Sequence, residues 1–211
     1  MIIMLIIGIT GGVGAGKSSV LEYMKENYRC RVILADDVGN RVKLPGEICY
    51  NQLVELLGRD ILDGEGYIDR NKMAAAIFSD KELLLKVNTI IHPAVKEYIL
   101  SEIKREKENS RYDFFFVEAA LLIECGYEAN VDEMWYVYAS EDVRRERLKN
   151  NRGYSDEKVS QIMSGQLKDE EFRNHCQVVI DNGSDFQKTK KQIDKILGDR
   201  LWKIQKNFRD N

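Results

Sequence analysis

The sequence predicts an α/β fold, a five-stranded parallel sheet flanked on both faces by helices. Three observations carry this expectation. Short strand-like runs recur near residues 4, 32, 113, 134 and 178, separated by helical segments. The first run is continuously apolar, as a parallel strand covered on both faces requires. Directly after it stands Gly11-Gly12-Val13-Gly14-Ala15-Gly16-Lys17-Ser18, which satisfies the G-x-x-x-x-G-K-[ST] phosphate-loop pattern with a strand before it and a helix after it.

Residues 2–9 form the first strand. The glycines after it let the backbone turn tightly and aim its N–H groups at an anion, and the following helix adds the positive end of its dipole. The amides of residues 12–19 (Gly12, Val13, Gly14, Ala15, Gly16, Lys17, Ser18, Ser19) are therefore the expected polyphosphate cradle. In such a loop Lys17 reaches the β- and γ-phosphates and the Ser18 hydroxyl holds Mg²⁺. A helix over 17–26 leads to a short strand over 31–35 that ends in Asp36 and Asp37. Ligands of open α/β sheets sit at carboxyl strand ends, so both acids are candidates; the plain alternative is that one caps the next helix.

Residues 38–109 read as mostly helical, with helices over 47–57, from Asp69 and from Asp80, both aspartates serving as caps. Pro93 is expected to break or restart the third. Its charged end, residues 104–108, reads as a solvated face. The strand near 113 ends on Glu118, either a magnesium-side carboxylate or a partner for a basic residue. After a strand near 134, a helix over 141–150 carries Arg144, Arg145 and Arg147, followed by a turn at Arg152-Gly153 and a new helix from Ser155. Arginines beside a glycine hinge suit a closing lid, although on an amphipathic helix they are as often solvated. A last strand ends in Asp181-Asn182-Gly183. The closing helix buries Ile193, Ile196, Leu197, Leu201, Ile204 and Phe208.

Composition narrows the function. A net charge of −3 with 32% charged residues gives no field for nucleic acid or an anionic membrane. Four cysteines show neither C-x-x-C spacing nor a metal pattern, which suits a reducing cytoplasm. No apolar run approaches the roughly 18–20 residues of a membrane span. The expectation is a cytoplasmic protein, monomer or small homo-oligomer, with no nucleic-acid or membrane partner.

Together the segments resemble the dephospho-coenzyme A kinase family. The likeness rests on residues 8–18, Ala35-Asp36, Gly66-Tyr67-Ile68-Asp69-Arg70, Phe78 and Ile91-His92-Pro93. It continues in Leu121-Leu122-Ile123-Glu124, Arg147-Leu148, Arg152, Gln166 and residues 179–183. It implies a P-loop kinase fold of three parts: a core (1–36, 112–140 and 174–211), a helical substrate lobe (37–111) and a lid (141–173). It also implies transfer of the γ-phosphoryl of ATP, with Mg²⁺, to the ribose 3′-hydroxyl of dephospho-coenzyme A.

The implied catalytic residues are Lys17, Asp36 and Arg152. Residues 12–19, Arg147, Asn182 and Gly183 hold nucleotide. Asp36, His92, Pro93, Glu118 and Leu121 meet the acceptor, with His92 read as a structural hydrogen-bonder, and Ser18 and Glu118 serve the metal. Three positions depart from the family pattern. Leu34 stands where the family has the first aspartate of Asp-Ala-Asp, Ala120 replaces a proline, and the Arg147–Arg152 spacing is one residue longer. A GTPase reading fails because Asn71-Lys72-Met73-Ala74 is not the N-K-x-D guanine signature. Another P-loop small-molecule kinase, or an ATP-binding module without catalysis, remains the alternative.

Overall fold

A computed structural model describes residues 4–78 and 80–209, with the side chains of 207–209 left aside; Ile2, Ile3 and the Phe208 side chain fall outside this set. The chain runs through β1 (Leu5–Thr10), α1 (Lys17–Asn27), β2 (Cys30–Leu34), α2 (Ala35–Arg41), α3 (Tyr50–Leu57), α4 (Arg70–Ile77) and α5 (Lys81–Asn109). It continues through β3 (Phe114–Glu118), β4 (Glu133–Tyr138), α6 (Glu141–Arg152), α7 (Asp156–Ser164), α8 (Asp169–His175), β5 (Val178–Asp181) and α9 (Phe186–Arg209). The chain divides into two compact units, one holding the described residues up to Val32 and from Glu106 onward, the other Ile33–Arg105.

The first unit is built on the sheet, whose strand order is β2-β3-β1-β4-β5. β1 lies at its centre, paired in parallel with β3 (Ile9 beside Glu118) and with β4 (Thr10 beside Tyr136); β4 pairs in parallel with β5 (Tyr138 beside Asp181). Phe114, Phe115, Phe116, Trp135 and Ile7 are fully buried. Apolar side chains of this size contribute about 1.5–3 kcal/mol each on burial. α9 packs on α1 and β5. It buries Ile193 and Leu197 completely, and the Tyr23 and Tyr28 hydroxyls of the α1 side both donate to Asp194 Oδ1 at 2.7 Å. Ile196, Leu201 and Ile204 are only half-buried. α8 packs on β4, where Phe172 stacks on Tyr136 with ring centroids 4.6 Å apart.

Several local expectations change. Glu106, expected on a solvated face, is buried, because the Arg111 guanidinium donates to both its carboxylate oxygens at 2.8 Å; the flanking charges are exposed. Arg152 closes α6 instead of starting the turn, which falls to Gly153 in the left-handed region with φ 63°. Ser155 caps α7, accepting from Lys158 N at 3.3 Å.

The second unit is helical. Asp69 caps α4 through the amides of Asn71 and Lys72, and Asp80 accepts from Leu83 N at 2.9 Å at the start of α5. α3 begins at Tyr50, not at 47, since residues before it turn through Leu44 N–Arg41 O and Glu47 N–Leu44 O bonds. Pro93 neither breaks nor restarts its helix; α5 runs through it. Asp37 is not a cap. α2 starts at Ala35 with Leu34 as its N-cap residue, which puts Asp36 and Asp37 in the first turn, where carboxylates suit the helix dipole.

Candidate active site

The loop after β1 is shaped by glycines that no other residue replaces without strain. Gly11 has φ 145°, and a Cβ there would lie 2.4 Å from the Val137 carbonyl oxygen. Gly16 is the N-cap of α1 at φ 89°, and a Cβ would lie 2.3 Å from Asn182 Nδ2. Having no side chain, the cap residue makes no side-chain bond to the first-turn amides of α1. Such amides, aligned with the helix dipole, form an anion site.

Lys17 opens α1. Its Nζ donates to Gly11 O at 2.8 Å and lies 3.4 Å from Glu118 Oε1. The parallel register explains the second contact, since it sets Glu118 beside Ile9 at the strand end from which the loop departs. Glu118 thus stands at the strand end and pairs with a lysine, the second of the two readings offered for it. Ser18 and Ser19 are exposed on the first turn of α1.

Beneath the loop sit residues from the far end of the chain. Asn182, buried, donates from Nδ2 to Ala15 O at 2.8 Å and accepts at Oδ1 from Thr189 Oγ1 at 3.0 Å. Arg147 donates to Gly14 O, Ala15 O and, at 2.8 Å, Asn182 O. Gly183 N donates to Asp181 Oδ1 at 2.8 Å. Above the loop, Gln166 Oε1 accepts from Val13 N at 3.2 Å and from Arg144 Nη1 at 2.9 Å. Sequence reasoning offers Arg144 only as one of three candidate lid arginines and Gln166 only as a residue of the family likeness, and places neither on the loop. The signal for Arg144 is its position three residues before Arg147, on one face of α6.

The structure therefore gathers residues 12–19, Glu118, Arg147, Asn182 and Gly183 within the first unit. Arg152 is exposed at the end of α6, and Leu121 is exposed after β3 while Leu122 is buried. Asp36, His92 and Pro93 belong to the second unit, and all three are exposed there. That unit also holds a cavity of about 350 Å³ lined by Lys43, Arg70, Tyr67, Ile68, Met73 and Ile77. Burial, then the Arg70 charge, push the Lys43 ammonium below its usual range. A pocket with an apolar wall and two cations suits a ligand that combines an anionic group with an apolar arm.

The four cysteines are free thiols. Burial pushes Cys30 up to about 11, against the pull of Lys25, and Cys176 up to about 12. Both are neutral at physiological pH and so poor nucleophiles. Among the described residues no cluster of three or more His, Cys, Asp or Glu stands ready for a metal, and no helix is long and apolar enough to cross a membrane.

A family model described as CoaE, dephospho-CoA kinase, matches residues 5–188. The dephospho-CoA kinase of Carboxydothermus hydrogenoformans is 34% identical over 203 residues, covering 96% of this chain and 98% of that protein. The dephospho-CoA kinase of Aquifex aeolicus is 36% identical over 191 residues, covering 90% and 94%. Among solved structures, TT1252 from Thermus thermophilus aligns with a TM-score of 0.78 at 27% identity over 93% of this chain and 97% of that one. A shikimate kinase from Acinetobacter baumannii aligns with a TM-score of 0.52 at 14% identity over 95% of this chain and 97% of that one, a likeness of fold alone. With a phosphate loop set on a central parallel strand and a family model spanning most of its length, the chain belongs to the dephospho-CoA kinase family.

Proposed function

We propose that the protein transfers the γ-phosphoryl group of ATP to the ribose 3′-hydroxyl of dephospho-coenzyme A, the final step of coenzyme A synthesis. The observation that carries this reading is the convergence of the loop amides and the Lys17 ammonium at the end of β1, with Glu118 3.4 Å from that ammonium. Phosphoryl transfer needs little covalent help from the protein. It needs the two oxygens held in line and the spreading charge neutralised.

In this reading the amides of residues 12–18 hold the phosphates, with Ser19 beside them. Lys17 leaves the Gly11 carbonyl for the β- and γ-oxygens. Ser18 and Glu118 offer a hydroxyl and a carboxylate, hard oxygen donors of the kind Mg²⁺ takes in small number alongside phosphates and water. Bound there, the ion would neutralise charge on the phosphates. Asn182 and Gly183, tied to the loop from below, line the adenine edge, and Arg147 fixes that floor by bonding the loop carbonyls. Arg152 closes over the transferring group.

Asp36 orients the acceptor hydroxyl or takes its proton. Leu34 leaves the family's other carboxylate missing, and Asp37 is the neighbour able to replace it. His92, Pro93 and Leu121 shape acceptor binding, and the Lys43–Arg70 cavity accommodates part of the acceptor with its phosphate charge. The protein works in the cytoplasm as a monomer or small homo-oligomer, without nucleic acid or membrane. The test is direct. Purified protein with ATP, Mg²⁺ and dephospho-coenzyme A should yield coenzyme A and ADP in equal amounts; ATP turnover only with a different alcohol would replace this acceptor.

A further inference from the structure

We infer that Arg144 is a phosphate ligand held in reserve by Gln166, whose side-chain oxygen occupies the Val13 amide until a polyphosphate displaces it. The inference rests on the phosphate-loop reading above and extends it to two residues that reading does not use.

The Gln166 side chain behaves as a stand-in for a phosphate oxygen. Its Oε1 takes the Val13 N–H at 3.2 Å, one of the amides that a phosphate loop turns toward its anion, and takes Arg144 Nη1 at 2.9 Å. Both partners are donors, so the oxygen and not the NH₂ end must face them. The guanidinium lies against the loop itself. A Cβ on Gly12 would meet Arg144 Nη1 at 1.8 Å, and one on Gly14 would meet the Arg144 carbonyl oxygen at 2.9 Å. A side chain at position 12 would therefore push the guanidinium off the loop.

The three arginines of α6 are used differently. Arg145 pairs with Glu141 at 2.8 Å and donates to Ser160. Arg147 bonds three backbone carbonyls. Arg144 has only the neutral Gln166 amide as a hydrogen-bond acceptor among the described residues, and its Nε is buried without a partner. A partly buried cation, served by one neutral oxygen and laid on an anion-binding loop, is matched to a phosphate. A guanidinium binds phosphate oxygens with shorter, stronger, often paired hydrogen bonds than it makes to a neutral amide. A polyphosphate that takes over the Val13 amide removes Gln166 from Arg144 in the same step and supplies the better acceptor. Gln166 stands in the connection between α7 and α8, so its side chain leaves without breaking a helix.

The test is calorimetric titration of wild type, Arg144→Gln, Arg144→Lys and Gln166→Ala with inorganic triphosphate, and separately with adenosine. Arg144→Gln should raise the triphosphate Kd about tenfold or more and leave adenosine binding alone, with Arg144→Lys between it and wild type. Gln166→Ala should lower the triphosphate Kd about threefold, since a competing bond is gone. A merely structural tie would instead change both ligands together or neither. The inference is overturned if Arg144→Gln binds triphosphate within twofold of wild type, or if Gln166→Ala leaves that binding unchanged or weaker. Should Arg144→Gln not fold, Arg144→Lys and Gln166→Ala decide by the same criteria. A wild type that makes coenzyme A while these variants behave as wild type sinks only this inference; a wild type that binds no triphosphate sinks the loop reading with it.

Discussion

The phosphate loop and the first turn of α2 both follow a strand of the sheet, yet they are built in opposite ways. The loop is fastened from outside itself. Ala15 O receives Asn182 and Arg147, residues 167 and 132 positions away, and Val13 N is met by Gln166. Gly11, Gly14 and Gly16 hold backbone angles that other residues rarely adopt. The turn that carries Asp36 and Asp37 is exposed and has no side-chain cap. The first arrangement is preorganised, so its dipoles cost little to align when charge moves. The second leaves both carboxylates exposed in the first turn of a helix. The contrast is between a loop tied down by distant residues in one compact unit and an exposed acidic turn in the other.

The sharpest way to break the comparison is to remove the ammonium from the rigid side. Lys17→Met should lower kcat by at least about 10³-fold with an unchanged melting curve, because it removes charge stabilisation from a site that stays folded. A mutant that keeps wild-type turnover would show that the loop is not the donor site. Next comes the acceptor side. Asp36→Asn should lower kcat by about 10²-fold while ATP affinity, read by titration, stays within twofold. If Asp37→Asn does this instead, the second acid of the turn is the one that acts.

Smaller effects separate rigidity from chemistry. Asn182→Ala removes one hydrogen bond at Ala15 O, which keeps Arg147, and one at Thr189 Oγ1, which keeps Asp181 O, and should destabilise the fold by about 1 kcal/mol by denaturant titration. An equal substitution effect on kcat at saturating ATP, with no loss of stability, would mean that the loop floor is not structural. Pro93 lies inside α5 and offers no N–H for the Thr89 carbonyl. Pro93→Ala should raise stability by about 1 kcal/mol and lower kcat/KM for the acceptor, the trade-off expected of a functional irregularity. Stability gained with kcat/KM intact would remove the His92-Pro93 pair from the acceptor site.

Much of the fold was legible because its signals are local. Continuous apolar runs mark β1 and β3, Asp69 and Asp80 stand where helix caps belong, and the glycine-lysine pattern compresses the loop into eight neighbours. The misread positions are those where residue type misleads about the surroundings. Glu106 looks like a surface charge until Arg111 covers it, and α5 carries Pro93 through its interior although proline alone argues for a break.

By itself the sequence determined the strand–loop–helix unit at residues 5–27, the order of elements around it and the family to which they belong, because each is written in contiguous residues or in a period of side chains. Tertiary structure alone decided what touches the loop: Arg144 and Gln166 above it, Arg147 and Asn182 below it, Glu118 beside its lysine. The physical reason is that a hydrogen bond between residues more than a hundred positions apart leaves no spacing in the chain, and exists only once the parallel strands have brought their ends together.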